Sequence, residues 1–225
     1  MTLRWYGQAA FRLESEDGFS IITDPYTPEI LGYAPIRDTA DMVIVSSLTD
    51  ESHSRHDLIA GDPTVVNALD VVGQGGVSQG LPLTIRSIAA MEALHHPLHA
   101  PGQNAMYRFE LDGLKVAHMG DVGNRLSSEQ IAFFQDTDVL LALAGAELTI
   151  ELDDLMEMVD AVHPKLIVPM HFRTLTYKPR NSLWIESFLS YFPDDRVDFA
   201  FGCQTRIVRD DLTEQTRVRV MDYAR

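Results

Sequence analysis

Two apolar segments of β-type sequence each lead to a side chain that can bind a metal ion. The segment Leu114 to His118 is followed by Asp121, and the segment Leu166 to Met170 is followed at once by His171. Short segments rich in apolar residues of this kind are typical of buried strands. A rigid strand end fixes a ligand while the adjoining loop leaves one side open to substrate. The pattern predicts a metal site of the hydrolytic type.

Strand signals dominate the first half of the chain, and helix signals appear mainly in the second. Asp112-Gly113 predicts a two-residue hairpin, and Ser127 to Gln130 has the spacing of a helix capping box. Leu152 to Val162 has helical apolar spacing, which His163-Pro164 ends. Further strands are predicted at Leu3–Tyr6, Ala10–Leu13, Phe19–Thr23, Met42–Val45, Val65–Val66, Val71–Val72 and Val139–Leu143.

Length and charge narrow the class of protein and its partners. A chain of 225 residues with 45% hydrophobic content predicts one domain over residues 1–225. The net charge of −15 disfavours nucleic acid and anionic membranes as partners and leaves a small-molecule ligand or substrate. A basic cluster, Arg173, Lys178 and Arg180, is interpreted as a solvated loop. The alternative is a positive pocket for an anionic substrate. The sequence does not determine the oligomeric state, and a homo-oligomer is one alternative.

The cellular compartment can be inferred from the number of cysteines and from the length of the apolar runs. Cys203 is the single cysteine, so no internal disulfide can form. The sequence from Met1 to Tyr6 lacks the features of a secretion signal, and no uninterrupted apolar run reaches the roughly 18 to 20 residues needed to cross a bilayer. These features predict a cytoplasmic protein that does not associate with membranes.

A series of motifs in order along the chain resembles the metallo-β-lactamase fold, and within it the ascorbate-6-phosphate-lactonase-like branch of Zn-dependent hydrolases. The resemblance implies an αββα sandwich of two mixed β-sheets with outer helices and a metal site at one edge between the sheets. The motifs that carry it are Trp5–Phe11, Ile22–Tyr26, Ala40–Ser46, Gln103–Tyr107, His118–Asp121, Ala144–Ile150 and Pro164–His171.

The same resemblance places most metal ligands of the family in a short loop after Val45. Its pattern, Ser/Thr-His-x-His-x-Asp-His, puts the ligand positions at Ser47, Thr49, Glu51 and Ser52. None of these is the expected His or Asp. The third His of the family falls at His95 or His96, while Asp121 and His171 match the bridging carboxylate and the last ligand.

This substitution pattern supports two functional hypotheses. Two of four ligands remain for each ion of the family's dinuclear centre, and hydroxyl groups are poor zinc ligands. The first hypothesis is a protein with a degraded metal site, a pseudoenzyme or small-ligand-binding protein that holds zinc or another divalent ion weakly, substoichiometrically or not at all.

The second hypothesis is a mononuclear hydrolase of a lactone, an ester or a phosphorylated small molecule. Glu51, Asp121 and His171, with His95 or His96, would hold the ion. His53 would add a ligand if the loop shifts. His118 is expected to orient the Asp121 loop. Ser47, Thr49, Ser52, His53 and His118 are thus expected to line the pocket.

Overall fold

The computed structural model describes residues 1–92 and 103–225, and its framework is a pair of β-sheets. The first sheet has six strands in the order β12-β1-β2-β3-β4-β5. These strands are β1 (Thr2–Gly7), β2 (Ala10–Glu14), β3 (Ser20–Thr23), β4 (Met42–Val45), β5 (Thr64–Asn67) and β12 (Gln204–Arg206). β1, β2 and β3 form an antiparallel meander, and β4 joins β3 in parallel.

The second sheet has seven strands in the order β11-β13-β10-β9-β8-β7-β6. They are β6 (Arg86–Ala90), β7 (Asn104–Leu111), β8 (Leu114–His118), β9 (Val139–Leu143), β10 (Leu166–Met170), β11 (Val197–Phe199) and β13 (Arg217–Val220). The α-helices are α1 (Pro28–Leu31), α2 (Ala68–Gly73), α3 (Ser128–Phe133), α4 (Leu152–Val162) and α5 (Ile185–Leu189). None of the helices in these two ranges is long and apolar enough to cross a bilayer.

The main hydrophobic core combines side chains of both sheets. Trp5 and Phe11 of the first sheet belong to the same buried cluster as Tyr107 and Leu141 of the second. Burial of apolar surface stabilises such a core by about 25 cal/mol per Å². The outer face of the first sheet packs on a smaller aromatic cluster, while α4 buries Leu155, Met158 and Val159 in the main core. The predicted sandwich of two mixed sheets with outer helices is confirmed.

Local predictions mostly agree with the structure. Asp112-Gly113 joins β7 to β8 as an antiparallel hairpin, and Ser127 forms a complete capping box with Gln130 at the start of α3. The prediction of a strand at Val71-Val72 is wrong, because both residues lie in α2. The Asn67 side chain accepts a hydrogen bond from the Leu69 backbone and starts that helix, so this local cap decides against the strand.

The topology brings several strand ends to one edge of the sandwich. β8, β9 and β10 are neighbouring parallel strands, so their carboxyl ends lie side by side. Asp121 follows β8, and His171 follows β10 directly. Two connections of the first sheet reach the same edge: the turn after β1 contacts His171 through Gln8, and the loop after β4 contacts Asp121 through His53.

Candidate metal centre

Three side chains from two different loops and one strand end converge at this edge. His53 comes from the loop after β4, Asp121 from the loop after β8, and His171 from the end of β10. His53 Nε2 lies 3.3 Å from Asp121 Oδ2, and His171 Nε2 lies 3.3 Å from Asp121 Oδ1. One ligand atom from each residue lies within 4.8 Å of the others. Both histidines are buried, and Asp121 is partly exposed.

This geometry and donor set fit a divalent metal ion. Imidazole nitrogen and carboxylate oxygen bind zinc at about 2.0–2.2 Å, so two ligands on a tetrahedral ion lie roughly 3.3–3.6 Å apart. The two His-to-Asp121 distances match that separation. The two imidazole rings are nearly parallel, with centroids 5.7 Å apart and 9° between their planes. Three protein ligands with one open side correspond to a catalytic rather than a structural zinc site.

A buried carboxylate orients His53 from behind. Asp24 follows β3, is fully buried, and lies 3.4 Å from His53 Nδ1 through its Oδ2 atom. Asp24 is itself held by Ser46, whose backbone N–H and hydroxyl donate hydrogen bonds of 2.7 and 2.8 Å to it. A carboxylate on the far nitrogen of a ligating histidine fixes the ring orientation and raises its basicity as a ligand.

The electrostatic environment differs between the two histidines. Burial by itself lowers the pKa of His53, but the adjacent Asp121 and Asp24 carboxylates outweigh it and raise that pKa well above its usual value. Burial dominates at His171, and its pKa is lowered although Asp121 opposes the shift. The two carboxylates therefore favour the protonated form of His53, whereas burial favours the neutral form of His171.

Backbone contacts fix the position of His171. Its φ of 57° is in the left-handed region, and its N–H donates a hydrogen bond of 3.1 Å to the Gln8 carbonyl. Gln8, in the turn between β1 and β2, also has a positive φ of 51°. Its side-chain amide contacts His171 Nε2. Positive φ at residues other than glycine is concentrated at functional sites, where the surroundings hold the strained backbone in place.

We expect the substitution Gly145→Ala to displace His171. A Cβ at Gly145 would lie 2.1 Å from the His171 carbonyl oxygen and 3.0 Å from its carbonyl carbon, and backbone atoms cannot yield as a flexible side chain can. Overpacking of this kind costs about 1–3 kcal/mol. The variant should lose that much in the free energy of urea unfolding and should bind metal more weakly in a chelator competition.

Gly202→Ala is the matched control, because a Cβ there meets no atom within 4 Å. It should leave both the unfolding midpoint and the metal affinity unchanged. Equal metal affinity in the two variants would show that the backbone position of His171 does not matter for binding.

The loop that carries Asp121 rests on His118, which is not among the residues that line the cavity beside the cluster. His118 is fully buried, with its ring stacked on Tyr107 at 4.8 Å. Its Nδ1 accepts a hydrogen bond from the Gly120 backbone at 2.9 Å, so Nε2 carries the proton and donates to the Ala9 carbonyl at 3.0 Å. Burial lowers the pKa of His118, which keeps it neutral. Both ring nitrogens are engaged, and His118 supports Asp121 without facing the ion position.

The structure places Glu51 away from the three-residue cluster. Its carboxylate accepts a hydrogen bond of 3.1 Å from the Thr27 hydroxyl and lies 3.8 Å from Arg55, and the side chain is 62% exposed. His53 occupies the third place instead. The tight turn in which Ser52 N–H bonds the Asp50 carboxylate and His53 N–H bonds the Asp50 carbonyl brings His53 inward.

The remaining predicted pocket residues divide into two groups. Ser52 and His53 line a cavity of 180 Å³ beside the cluster. Ser47 and Thr49 hydrogen bond to each other at 2.7 Å and are not among its lining residues. His95 and His96 lie outside the described residues.

Sequence reasoning did not place two acidic residues, Asp50 and Glu92, in this cavity, and it gave no role to Asp24 or Gln8. Burial raises the pKa of Glu92 to about 7, and the negative charge of Asp121 adds to the effect. Asp24 stands in the quoted motif Ile22–Tyr26, and its position at the end of a buried strand was the available signal. Among the described residues, the cavity is lined by Gln8, Ile30, Leu31, Asp50, Ser52, His53, Glu92, Asp121, Leu148, His171, Tyr177, Pro179 and Asn181.

Comparison with known proteins identifies the family. A family model described as the β-lactamase superfamily domain matches residues 2–171. The chain therefore belongs to the metallo-β-lactamase superfamily. The matched region begins in β1 and ends at His171, so it contains all three residues of the cluster.

Individual relatives agree with this assignment. A protein named UPF0173 metal-dependent hydrolase from Pyrobaculum islandicum is 29% identical over 193 residues, covering 77% of this chain and 85% of the relative. One of the same name from Polynucleobacter asymbioticus is 24% identical over 221 residues, covering 76% and 74%.

Solved structures show the same architecture. A candidate Zn-dependent hydrolase of this superfamily from Thermotoga maritima is 29% identical, with a TM-score of 0.76 and coverage of 99% of both chains. A metallohydrolase from Ignicoccus hospitalis, 20% identical with a TM-score of 0.63, covers 100% of this chain and 96% of its own and supports the fold alone.

Proposed function

We propose that this protein is a metal-dependent hydrolase that uses a single divalent ion held by His53, Asp121 and His171. The observation that carries the proposal is the convergence of two imidazole nitrogens on one carboxylate at distances that suit a shared ion. The names of the relatives as metal-dependent hydrolases support the same function. One ion is favoured over two because Ser47 and Thr49, at the positions of two family histidines, bond each other.

The residues around the cluster have distinct roles in this proposal. When bound, the ion would polarise a substrate carbonyl and lower the pKa of a water molecule. Asp24 holds the His53 ring in its ligating orientation, and the backbone contact with Gln8 fixes His171. Glu92 lines the same cavity, where burial raises its pKa in the metal-free protein, and a carboxyl group in that position is suited to accept and return a proton.

The bond cleaved in this proposal is that of a small ester or lactone. The resemblance to the ascorbate-6-phosphate-lactonase-like branch supports this chemistry, and the cavity of 180 Å³ suits a small molecule, since drug-sized pockets usually reach about 300–1,000 Å³. The single Cys203 supports a reducing compartment, so we place the protein in the cytoplasm.

We expect the protein to bind about one divalent ion per chain. Titration with Zn²⁺, Co²⁺ or Mn²⁺, followed by gel filtration and elemental analysis, measures the stoichiometry. Binding should also raise the melting temperature, because a ligand that binds only the folded state stabilises it once its concentration exceeds Kd. The loaded protein should then hydrolyse simple esters or lactones, and a chelator should remove that activity.

Two results would contradict this proposal in different ways. Retention of two ions per chain would show that the loop after β4 supplies ligands in an arrangement other than the one described here. No uptake of any of the three ions would instead favour the alternative of a pseudoenzyme or small-ligand-binding protein, which the hydroxyl side chains of Ser47 and Thr49 support.

A further inference from the structure

The cavity beside the three-residue cluster is acidic. Asp50, Glu92 and Asp121 all line it, and the buried Asp24 lies behind His53. Among the residues that the structure describes, no lysine or arginine lines this cavity. The cavity is also lined by four apolar side chains, those of Ile30, Leu31, Leu148 and Pro179.

The basic cluster after His171 does not line this cavity. The Arg173 guanidinium lies over the Trp184 ring, 4.8 Å from its centroid. Lys178 Nζ donates a hydrogen bond of 2.7 Å to the Glu29 carbonyl, and Arg180 is exposed. None of the three belongs to the cavity lining. The positive pocket considered from the sequence is therefore not formed by these residues.

A bound divalent ion would offset this acidity without reversing it. The two positive charges of the ion balance two of the three carboxylates that line the cavity, so the loaded cavity has no excess positive charge. A phosphate monoester carries a charge of about −1.5 to −2 at pH 7. Such a group would meet no compensating positive charge within the described lining, and like charges in a partly desolvated site repel strongly.

We propose that the cavity selects small neutral or cationic substrates and rejects those with a phosphate or similar anionic group close to the bond that is cleaved. This inference rests on the proposed hydrolase function and specifies its substrate class. The apolar walls would contact a short alkyl group, and the carboxylates would favour a cationic group on the same side.

Three acetate esters of similar shape test this selection on the metal-loaded protein. The neutral ester is 3,3-dimethylbutyl acetate. The cationic ester is 2-(trimethylammonio)ethyl acetate, and the anionic ester is 2-(phosphonooxy)ethyl acetate, which carries a phosphate monoester group. We expect kcat/KM for the neutral and cationic esters to exceed that for the phosphorylated ester by at least about tenfold. Binding of the three corresponding alcohols, measured as the shift in melting temperature, should follow the same order without requiring turnover.

Charge-neutralising variants connect the selection to the lining residues. Asp50→Asn and Glu92→Gln should each lower the ratio of kcat/KM for the cationic ester to that for the phosphorylated ester by several-fold. Asp62→Asn removes the same charge from an exposed position outside the cavity lining and should leave this ratio unchanged.

The possible outcomes separate the two proposals. If no ester is hydrolysed but the neutral and cationic alcohols still bind better than the phosphorylated one, the hydrolase proposal loses support and the charge preference stands. Equal or preferred use of the phosphorylated ester would overturn the charge preference while supporting hydrolysis. Failure to bind any of the six compounds, or ratios that do not respond to either cavity variant, would also overturn the preference.

Discussion

Replacing Asp121 by asparagine is expected to abolish tight metal binding and, with it, hydrolysis. Among the described residues of the cluster, Asp121 is the one that contacts both His53 and His171, each at 3.3 Å. Asparagine keeps the size of the side chain but removes the negative charge that balances the ion. Loss of one of three ligands together with the charge that balances the ion is expected to lower the metal affinity by more than about a hundredfold.

Competition with a chromophoric chelator measures this affinity, and circular dichroism shows whether the variant is folded. The Asp121 backbone N–H bonds the Asn104 side chain at 3.1 Å and is unaffected by the substitution, so the loop should keep its position. Asp62→Asn serves again as the control and should bind metal like the unmodified protein. A folded Asp121→Asn protein that keeps full metal affinity would show that the ion is held elsewhere.

The sequence is sufficient to predict the fold and two of the three residues of the candidate centre, Asp121 and His171. The apolar strands before Asp121 and His171 are buried on both faces, so their periodicity and length carry the signal directly. The hairpin at Asp112-Gly113 and the capping box at Ser127 are equally local, because the residues that determine each structure are adjacent in sequence. Such features do not depend on contacts between distant parts of the chain.

The ligands in the loop after β4 are assigned from the spacing of a family pattern, with His53 as a ligand only if the loop shifts. A fixed ligand spacing assigns its positions to Ser47, Thr49, Glu51 and Ser52, whereas the structure brings in His53. The reason is the turn at Asp50, whose side chain and carbonyl accept hydrogen bonds from Ser52 and His53 and change the direction of the backbone. A turn of this kind depends on local side-chain bonding, which the ligand pattern of a family does not contain.

The acidity of the cavity was also not predictable from overall charge. The net charge of −15 is spread over the whole chain, and the basic cluster Arg173, Lys178 and Arg180 follows His171 closely in sequence. Packing against Trp184 and the Glu29 carbonyl directs two of these side chains away from the cavity. Asp50 and Glu92 come from separate connections, and only the tertiary structure places them together.

Asp24→Asn is expected to weaken metal binding although Asp24 is not a ligand. Asp24 lies behind His53, 3.4 Å from Nδ1, and its negative charge makes the opposite nitrogen a better ligand. Substitution of such supporting carboxylates typically reduces metal affinity by about 10- to 100-fold. The asparagine amide would also have to face a hydrogen-bond donor on Ser46 or His53, so we expect a loss of about 1–3 kcal/mol in stability.

Ser46→Ala separates the two effects. It removes the hydroxyl that donates to Asp24 at 2.8 Å but leaves the Asp24 charge and the backbone hydrogen bond of 2.7 Å in place. This variant should lose some stability in urea unfolding while keeping most of its metal affinity, whereas Asp24→Asn should lose both. Equal metal affinity in the two variants would mean that Asp24 serves only to hold the loop after β4. A selective loss in Asp24→Asn would show that the charge acts on the ion through His53, because the substitution leaves the direct ligands unchanged.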